Sequence, residues 1–477
     1  SGTVSAIDLT AGRMTGTSAS GAFTIDFAGV ERIYGPSSPS AVTVSGLAAV
    51  QSFEYFPSGS DRITGGLRPD EFYGMLTVTY SRGGFNTAGI SLSYDAQGIG
   101  KVTSSAFPTA GGDTLERVIS INGTAVADVF DMRNFGMNPA GSKLNIIGVS
   151  AGDTVYGNGQ TRLVLPGYAL NVSLPAAGTS VTAPDFTRRV VIDLQEGSFE
   201  AFGSTVSNNN FNAWGGAVKF SGVEGLYGSS QDETMLGDDR DNFFRTADGN
   251  DYVDGRGGVD TLDYWRMADP VTVDMAAGTA YGGPSSGVDE FRRVERVVGT
   301  VYADRYDASG FGTAKAINVG DKGAYNAFEP LGGDDVVIGN GQTHVQYDLA
   351  MLPVEVNLAE GYARERLVAD REITDDRNVG TDTLIGVNRV TGSIYADSVT
   401  GDAGDNVIEG KGGNDTIIGG AGRDTAIYSG KRADYTVTQV SGDQYTVTDK
   451  RAAQVQDALA GTVSLNDGAD QLSGVEV

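Results

Sequence analysis

The chain copies itself. The stretch LGDDRDNFFRTADGNDYVDGRGGVDTLDYW from Leu236 returns as TGDAGDNVIEGKGGNDTIIGGAGRDTAIYSG from Thr400, 164 residues further on. Asp241, Asp251 and Asp260 of the first block correspond to Asp405, Asp415 and Asp424 of the second, and Tyr264 to Tyr428. Within each block shorter copies follow one another, clearest as GRGGVDTLD (255–263), GKGGNDTII (410–418) and GGAGRDTAI (419–427). A Gly-rich turn is followed by Asp and, two residues on, by a hydrophobe: Phe243, Val253, Leu262, Val407, Ile417 or Ala426. No helical period accompanies these copies. Short strands broken by Gly, Asn and Asp at regular spacing fit a sandwich, a barrel or a solenoid. Repetition with loops of unequal length favours the solenoid, because stacked coils tolerate insertions at their corners.

A looser signature extends the repetition: FTIDFAGVERIYG from Phe23, GDTLERVISINGTAVADVFD from Gly112, AVKFSGVEGLYGSSQDETMLGD from Ala217, GVDEFRRVERVVGTVYADRYD from Gly287, GTDTLIGVNRVTGSIYADSVTGD from Gly380 and GADQLSGVEV from Gly468. A second segment precedes most of them, as AIDLTAGRMTG, VIDLQEGSFEAFG, VTVDMAAGTAYGG and VEVNLAEGYA, with ISLSYDAQG a weaker match. Its alternation is that of a strand with one buried face, and AGT or EGY supplies a turn. Pro270 and Pro353 stand where a strand starts, which tolerates a missing N–H. Segments near 203–216, 312–330 and 364–379 read as loops. The expectation is an all-β, parallel β-solenoid of degenerate tandem modules. Residues 1–150 form a degenerate β-repeat region, 151–310 a solenoid with the first block (236–264), and 311–477 a solenoid with the second (400–428). With no initiator Met and a truncated last signature, the chain reads as part of a longer protein.

Composition narrows the chemistry. The 477 residues include 69 Gly, one His and no Cys, and 61 acids against 34 bases leave a net charge of −27. Disulfides, zinc–cysteine sites and thiol nucleophiles are excluded, as is a two-histidine zinc protease motif. The charge repels phosphate backbones, so nucleic acid is not an expected partner. No apolar run approaches the ~20 residues of a membrane span, and membrane insertion is not expected.

The GGxGxDx(hydrophobe)x copies resemble the calcium-binding nonapeptide of the RTX family. The resemblance covers residues 190–477 well and 1–150 weakly. It implies a β-roll in which Ca²⁺ ions are shared between consecutive turns on each edge, with Asp side chains and Gly carbonyls as ligands. The candidate ligands are Asp241, Asp251, Asp260, Asp405, Asp415 and Asp424, with Gly249, Gly255, Gly257, Gly410, Gly412, Gly419, Gly420 and Gly422 in the turns. Asp335, in LGGDD, and Asp397 are added. Physics supports the assignment, since a hard cation wants six to eight oxygens and glycines let carbonyls converge. Nine residues make half a coil, so Asp241 and Asp260, or Asp405 and Asp424, are expected on one edge and Asp251 and Asp415 on the other. Asp128, Asp232, Asp304 and Asp397 follow a TxxAD-like pattern that turn capping explains equally well. GNGQT (157–161 and 339–343) lacks the Asp and reads as a corner without metal.

His344 stands in no constellation that supports a role. Asp193, Asp274 and Asn357 are expected to form a solvent-facing ladder, Trp214 and Trp265 have no assigned ligand, and Tyr264 and Tyr428 are expected to pack. No catalytic residue is assigned, and an enzyme is not expected. The resemblance implies export by type I secretion to the bacterial surface or exterior. It further implies a structural, adhesive or surface-layer role in which Ca²⁺ drives folding, with possible partners in further copies of the chain or an extracellular polysaccharide. The alternatives are a carbohydrate-active β-helix enzyme (lyase or epimerase) and a lectin-like module.

Overall fold

The computed structural model describes residues 218–283, 286–366, 379–451 and 466–475. Upstream it describes 88–105, 145–149, 152–165, 190–201, most of 112–136, and short strand segments between 2 and 80. Among the described residues there is no α-helix, only strands and one short 3-10 turn at Arg432–Asp434. The protein is all-β. It divides into two compact units, Ser1–Gly237 and Asp238–Val477.

In the second unit short strands stack in parallel and in register, coil upon coil. Phe243–Arg245 pairs with Thr261–Asp263, then Arg296–Val298, then Asn326–Glu329. The column continues through the second half of Val336–Gln346, Thr381–Thr391, Val407–Glu409 and Thr425–Ile427. A second column runs Thr272–Asp274, Arg305–Asp307 and the first half of Val336–Gln346. A third runs Val354–Asn357, Ser398–Thr400, Thr416–Ile418 and Ala469–Ser473. Parallel pairing with a full coil between partners is the solenoid that the repeats require.

Each three-residue strand sends its middle side chain inward. Phe244, Leu262, Val297, Phe328, Val345, Val390 and Ile408 therefore stack in register and are buried. Val356, Val399, Ile417 and Leu472 do the same in the third column. Each such burial contributes roughly 1.5–3 kcal/mol, and no coil has enough of them to stand alone. The first unit contains comparable columns, such as Leu92, Phe130, Val155 and Phe220.

The xVDLxxG segments are hairpins. Val190–Asp193 turns back as Ser198–Ala201, Thr272–Asp274 as Thr279–Tyr281, and Val354–Asn357 as Tyr362–Glu365. Asp193, Asp274 and Asn357 shape these turns: their side-chain oxygens accept the amides of Gln195, Ala277 and Glu360. The turns close on Gly197, Gly278 and Gly361, all at positive φ. Residues 312–325 form successive turns before the strand Asn326–Glu329, whereas 203–216 and most of 364–379 lie outside the described residues. In the GNGQT corner, Asn340 and Thr343 hold each other: the Asn340 amide donates to Thr343 Oγ1 at 3.0 Å.

Candidate metal centre

The sixth residue of each nonapeptide ends a turn and turns its carboxylate back beneath it. A Cβ on Gly410 would lie 2.1 Å from Asp415 Oδ2, and one on Gly255 would lie 2.2 Å from Asp260 Oδ2. The first glycine of the motif is thus required for space. Further on, positive φ falls at Gly258, Gly413 and Gly422. It also falls on the second residue of the turn, which is Gly420 in one copy but Arg256 and Lys411 in the others.

One carboxylate oxygen, Oδ1, accepts the main-chain amide of the matching corner one coil earlier. Asp260 takes the amide of Asn242 at 2.8 Å, Asp335 that of Asp304 at 2.6 Å, and Asp415 that of Asp397 at 2.8 Å. Asp424 takes the amide of Asn406, and Asp470 that of Asp415. These bonds form ladders along the coil edges, and the alternation of edges every nine residues follows the expected phasing.

What happens to the second oxygen divides the corners into three kinds. In Gly-Thr/Ser-x-x-Ala-Asp corners the hydroxyl residue four places earlier closes the carboxylate. Its amide donates to Oδ2 and its hydroxyl to Oδ1, for Thr124 on Asp128, Thr300 on Asp304 and Ser393 on Asp397. In a second kind a buried tyrosine hydroxyl donates to Oδ2: Tyr80 to Asp113, Tyr264 to Asp289 and Tyr347 to Asp382. In the third kind, at Asp260, Asp335 and Asp415, Oδ2 is buried and has no hydrogen-bond partner. A buried carboxylate oxygen left without a donor is costly, and a cation would complete it.

The electrostatics follow the same division. Burial pushes Asp260 up to about 9, helped by the neighbouring charges of Glu295, Asp241 and Asp321. Burial likewise raises Asp415 to about 9, with Asp470 and Asp397 adding to it. Asp335 is raised by burial and by Asp382 and Asp304. Asp304 and Asp397, equally buried but closed by hydroxyl and amide donors, rise only to about 7. A Ca²⁺ ion at the third kind of corner would supply the missing charge, in the place where a proton otherwise sits. Among the described residues no three acidic or histidine side chains form a metal cluster. Most oxygens around each ion would therefore come from main-chain carbonyls of the Gly-rich turns, consistent with Ca²⁺ and its preference for six to eight oxygen ligands.

The structure moves two of the sequence assignments by one residue. Counting nines back from Asp260 and Asp415 reaches Asn242 and Asn406, not Asp241 and Asp405. Asn242 and Asn406 are buried at the corner, accepting the amides of Asp238 and Asp402. Asp241 and Asp405 are exposed beside them and accept the amides of Val259 and Arg423. Correspondingly Phe244 and Ile408, not Phe243 and Val407, enter the core. Asp251, Asp260, Asp415 and Asp424 do occupy buried corner positions. Asp397 is closed by Ser393, whereas Asp335 keeps an open oxygen. Gly249 and Gly419 face the next coil across the turn: Gly249 O lies against Gly287, and a Cβ on Gly419 would meet Gly474 O at 2.0 Å. Gly257 lies over Asp239 and Asp321, and Gly412 precedes the positive-φ Gly413.

The sequence reading missed the closing groups: Thr124, Thr300 and Ser393, the tyrosine–Asp pairs and Glu295, whose carboxylate accepts the Asp260 amide. A Ser or Thr four residues before the corner Asp was the available signal. Tyr264 is buried as expected, but its hydroxyl is engaged as well.

Against this geometry, the family model of the RTX calcium-binding nonapeptide repeat matches the chain in four copies, over residues 227–262 and 391–426. The chain carries RTX repeats. No curated protein matches it.

Proposed function

We propose that this is a calcium-folded structural or adhesive region of an extracellular bacterial protein, exported by type I secretion and capable of assembly at the cell surface. The observation that carries the calcium part is the open, buried Oδ2 of Asp260, Asp335 and Asp415. Where Ca²⁺ is scarce, clustered carboxylates repel one another and the coils are weakened, so the ion-free fold is the less stable one. In millimolar Ca²⁺, binding free energy becomes folding free energy. Sites with few carboxylates suit that weak, extracellular range. The stacked repeats support a structural role. A circular dichroism titration of chelated, then calcium-loaded protein tests the folding switch. The expected result is a gain in β signal and in thermal stability, and a spectrum and melting temperature that do not change would refute it. Light scattering and electron microscopy across the same titration test assembly, which monomers at every Ca²⁺ concentration would rule out.

A further inference from the structure

Along the coil edges the open corners stand alone. Asp335 lies between Asp304, whose amide its Oδ1 accepts at 2.6 Å, and Asp382, whose Oδ1 accepts the Asp335 amide at 3.0 Å. Asp304 is closed by Thr300 and Asp382 by Tyr347, so of these three carboxylates only Asp335 keeps a bare, buried Oδ2. Asp260 is bracketed too. On one side stands Asn242, an uncharged amide. On the other stands Glu295, whose two oxygens accept the main-chain amides of Asp260 and Asp321, both at 2.9 Å. Asp415 follows Asp397, which Ser393 closes.

These closures differ in what makes them. Thr300 and Ser393 reach Oδ2 with a main-chain amide, at 2.6 and 2.5 Å, and Glu295 is likewise held by main-chain amides. Such donors belong to the backbone, and no side-chain change removes them. At Asp382 the donor to Oδ2 is a side chain, the Tyr347 hydroxyl at 2.8 Å. Asp382 is fully buried and Tyr347 is 2% exposed. The tyrosine main chain is pinned on both sides: its amide donates to the Thr391 carbonyl and its carbonyl accepts the Ala350 amide, each at 2.9 Å. The hydroxyl is therefore held in place. Tyr264 repeats the arrangement, donating to Oδ2 of Asp289 at 3.0 Å while Asp289 Oδ1 accepts the Asp251 amide at 2.9 Å.

We propose that Tyr347 sets how many ions its edge can hold: the hydroxyl takes, at Asp382, the place that Ca²⁺ takes at Asp335, and so confines the Asp304–Asp335–Asp382 edge to a single ion. Tyr264 does the same at Asp289. The inference rests on the calcium reading of Asp335 and adds to it what limits the ion count. The mechanism is exclusion. A buried carboxylate oxygen needs a donor or a cation, and a hydroxyl that already serves leaves an ion little to gain. Without that hydroxyl, Asp382 would present the same bare oxygen as Asp335. The turn before it already sends an oxygen that way: a Cβ on Gly380 would meet Gly333 O at 2.3 Å, and carbonyls of this kind are Ca²⁺ ligands. Closed corners on either side also keep divalent charges from stacking directly upon one another.

The test is equilibrium dialysis of the whole chain against radioactive calcium at physiological ionic strength, which counts bound ions per chain, paired with thermal melts in chelator and in millimolar calcium. Tyr347→Phe should bind one ion more than wild type. It should melt a few degrees below wild type in chelator, where the Asp382 oxygen is left bare, and the gap should close in calcium. Combining Tyr347→Phe with Asp382→Asn should restore the wild-type count, because the amide offers an ion no charge. Tyr264→Phe makes the same test at Asp289 and stands in if Tyr347→Phe does not fold. An unchanged count in the Phe variants, or an extra ion that survives Asp382→Asn, would overturn the proposal and leave the calcium reading of Asp335 standing. A wild type that binds no calcium would remove that reading, and this inference with it.

Discussion

At the scale of single residues, the corner carboxylates are the groups whose chemistry changes with conditions. Asp415→Asn keeps the size and the Oδ1 ladder but removes the charge an ion needs. In calcium it should cost about 1–3 kcal/mol, a fall of a few degrees in melting temperature for a unit of this size. In chelator it should cost nothing or stabilise, because it removes a buried carboxyl that has only one partner. A loss of equal size in both conditions would show that Asp415 is a hydrogen-bonding group only. pH separates the two states as well. Asp260 and Asp415 have folded values near 9 against 3.8 for the ordinary carboxyl. Between those values the ion-free fold holds protons that the unfolded chain has released. This contribution is complete below about 4 and is lost as pH rises through 9. Calorimetry in chelator should therefore show a melting temperature that falls from pH 5 to pH 9. In limiting calcium the trend should reverse, since protons compete for the same oxygens.

At the scale of the turn and strand, corners closed by protein groups alternate with corners left for an ion. Ser393→Ala removes the hydroxyl from Asp397 and leaves that buried carboxylate short of a donor. The expected loss is about 1–2 kcal/mol, of the same size in calcium and in chelator, which distinguishes it from the change at Asp415. This alternation also explains what was readable from the sequence. The strand–turn rhythm, the hairpins at Val271-Thr-Val-Asp and the two-edge phasing follow from alternation and glycine placement, which are local. The off-by-one assignment of Asp241 and Asp405 arose because Asp precedes Asn at both corners, and a search for acids selects the charged neighbour over the amide that occupies the position. The pairing of Tyr347 with Asp382 or of Glu295 with the Asp260 amide joins residues far apart in the chain, so no local pattern announces it.

At the scale of the whole molecule, stability becomes a function of the calcium concentration. Each saturating site adds about 1.4 kcal/mol for every ten-fold rise in free Ca²⁺. Calorimetric scans from micromolar to millimolar Ca²⁺ should give a melting temperature rising linearly with log concentration, its slope counting the ions released on unfolding. A flat plot would mean that the coils do not depend on the ion. The Oδ1 ladders add a directionality that composition does not hint at. The rungs built by the buried corner Asp run one way, a carboxylate from a later coil gripping the amide of an earlier one, while the exposed Asp241, Asp334 and Asp405 return a bond to an amide of a later coil. Cutting the chain on the C-terminal side of a coil therefore strips that coil of its buried clasp, whereas cutting on the N-terminal side removes only the exposed return bond. Deletion series taken from the two ends should not be mirror images, and a growing stack locks each coil only when its successor has been laid down.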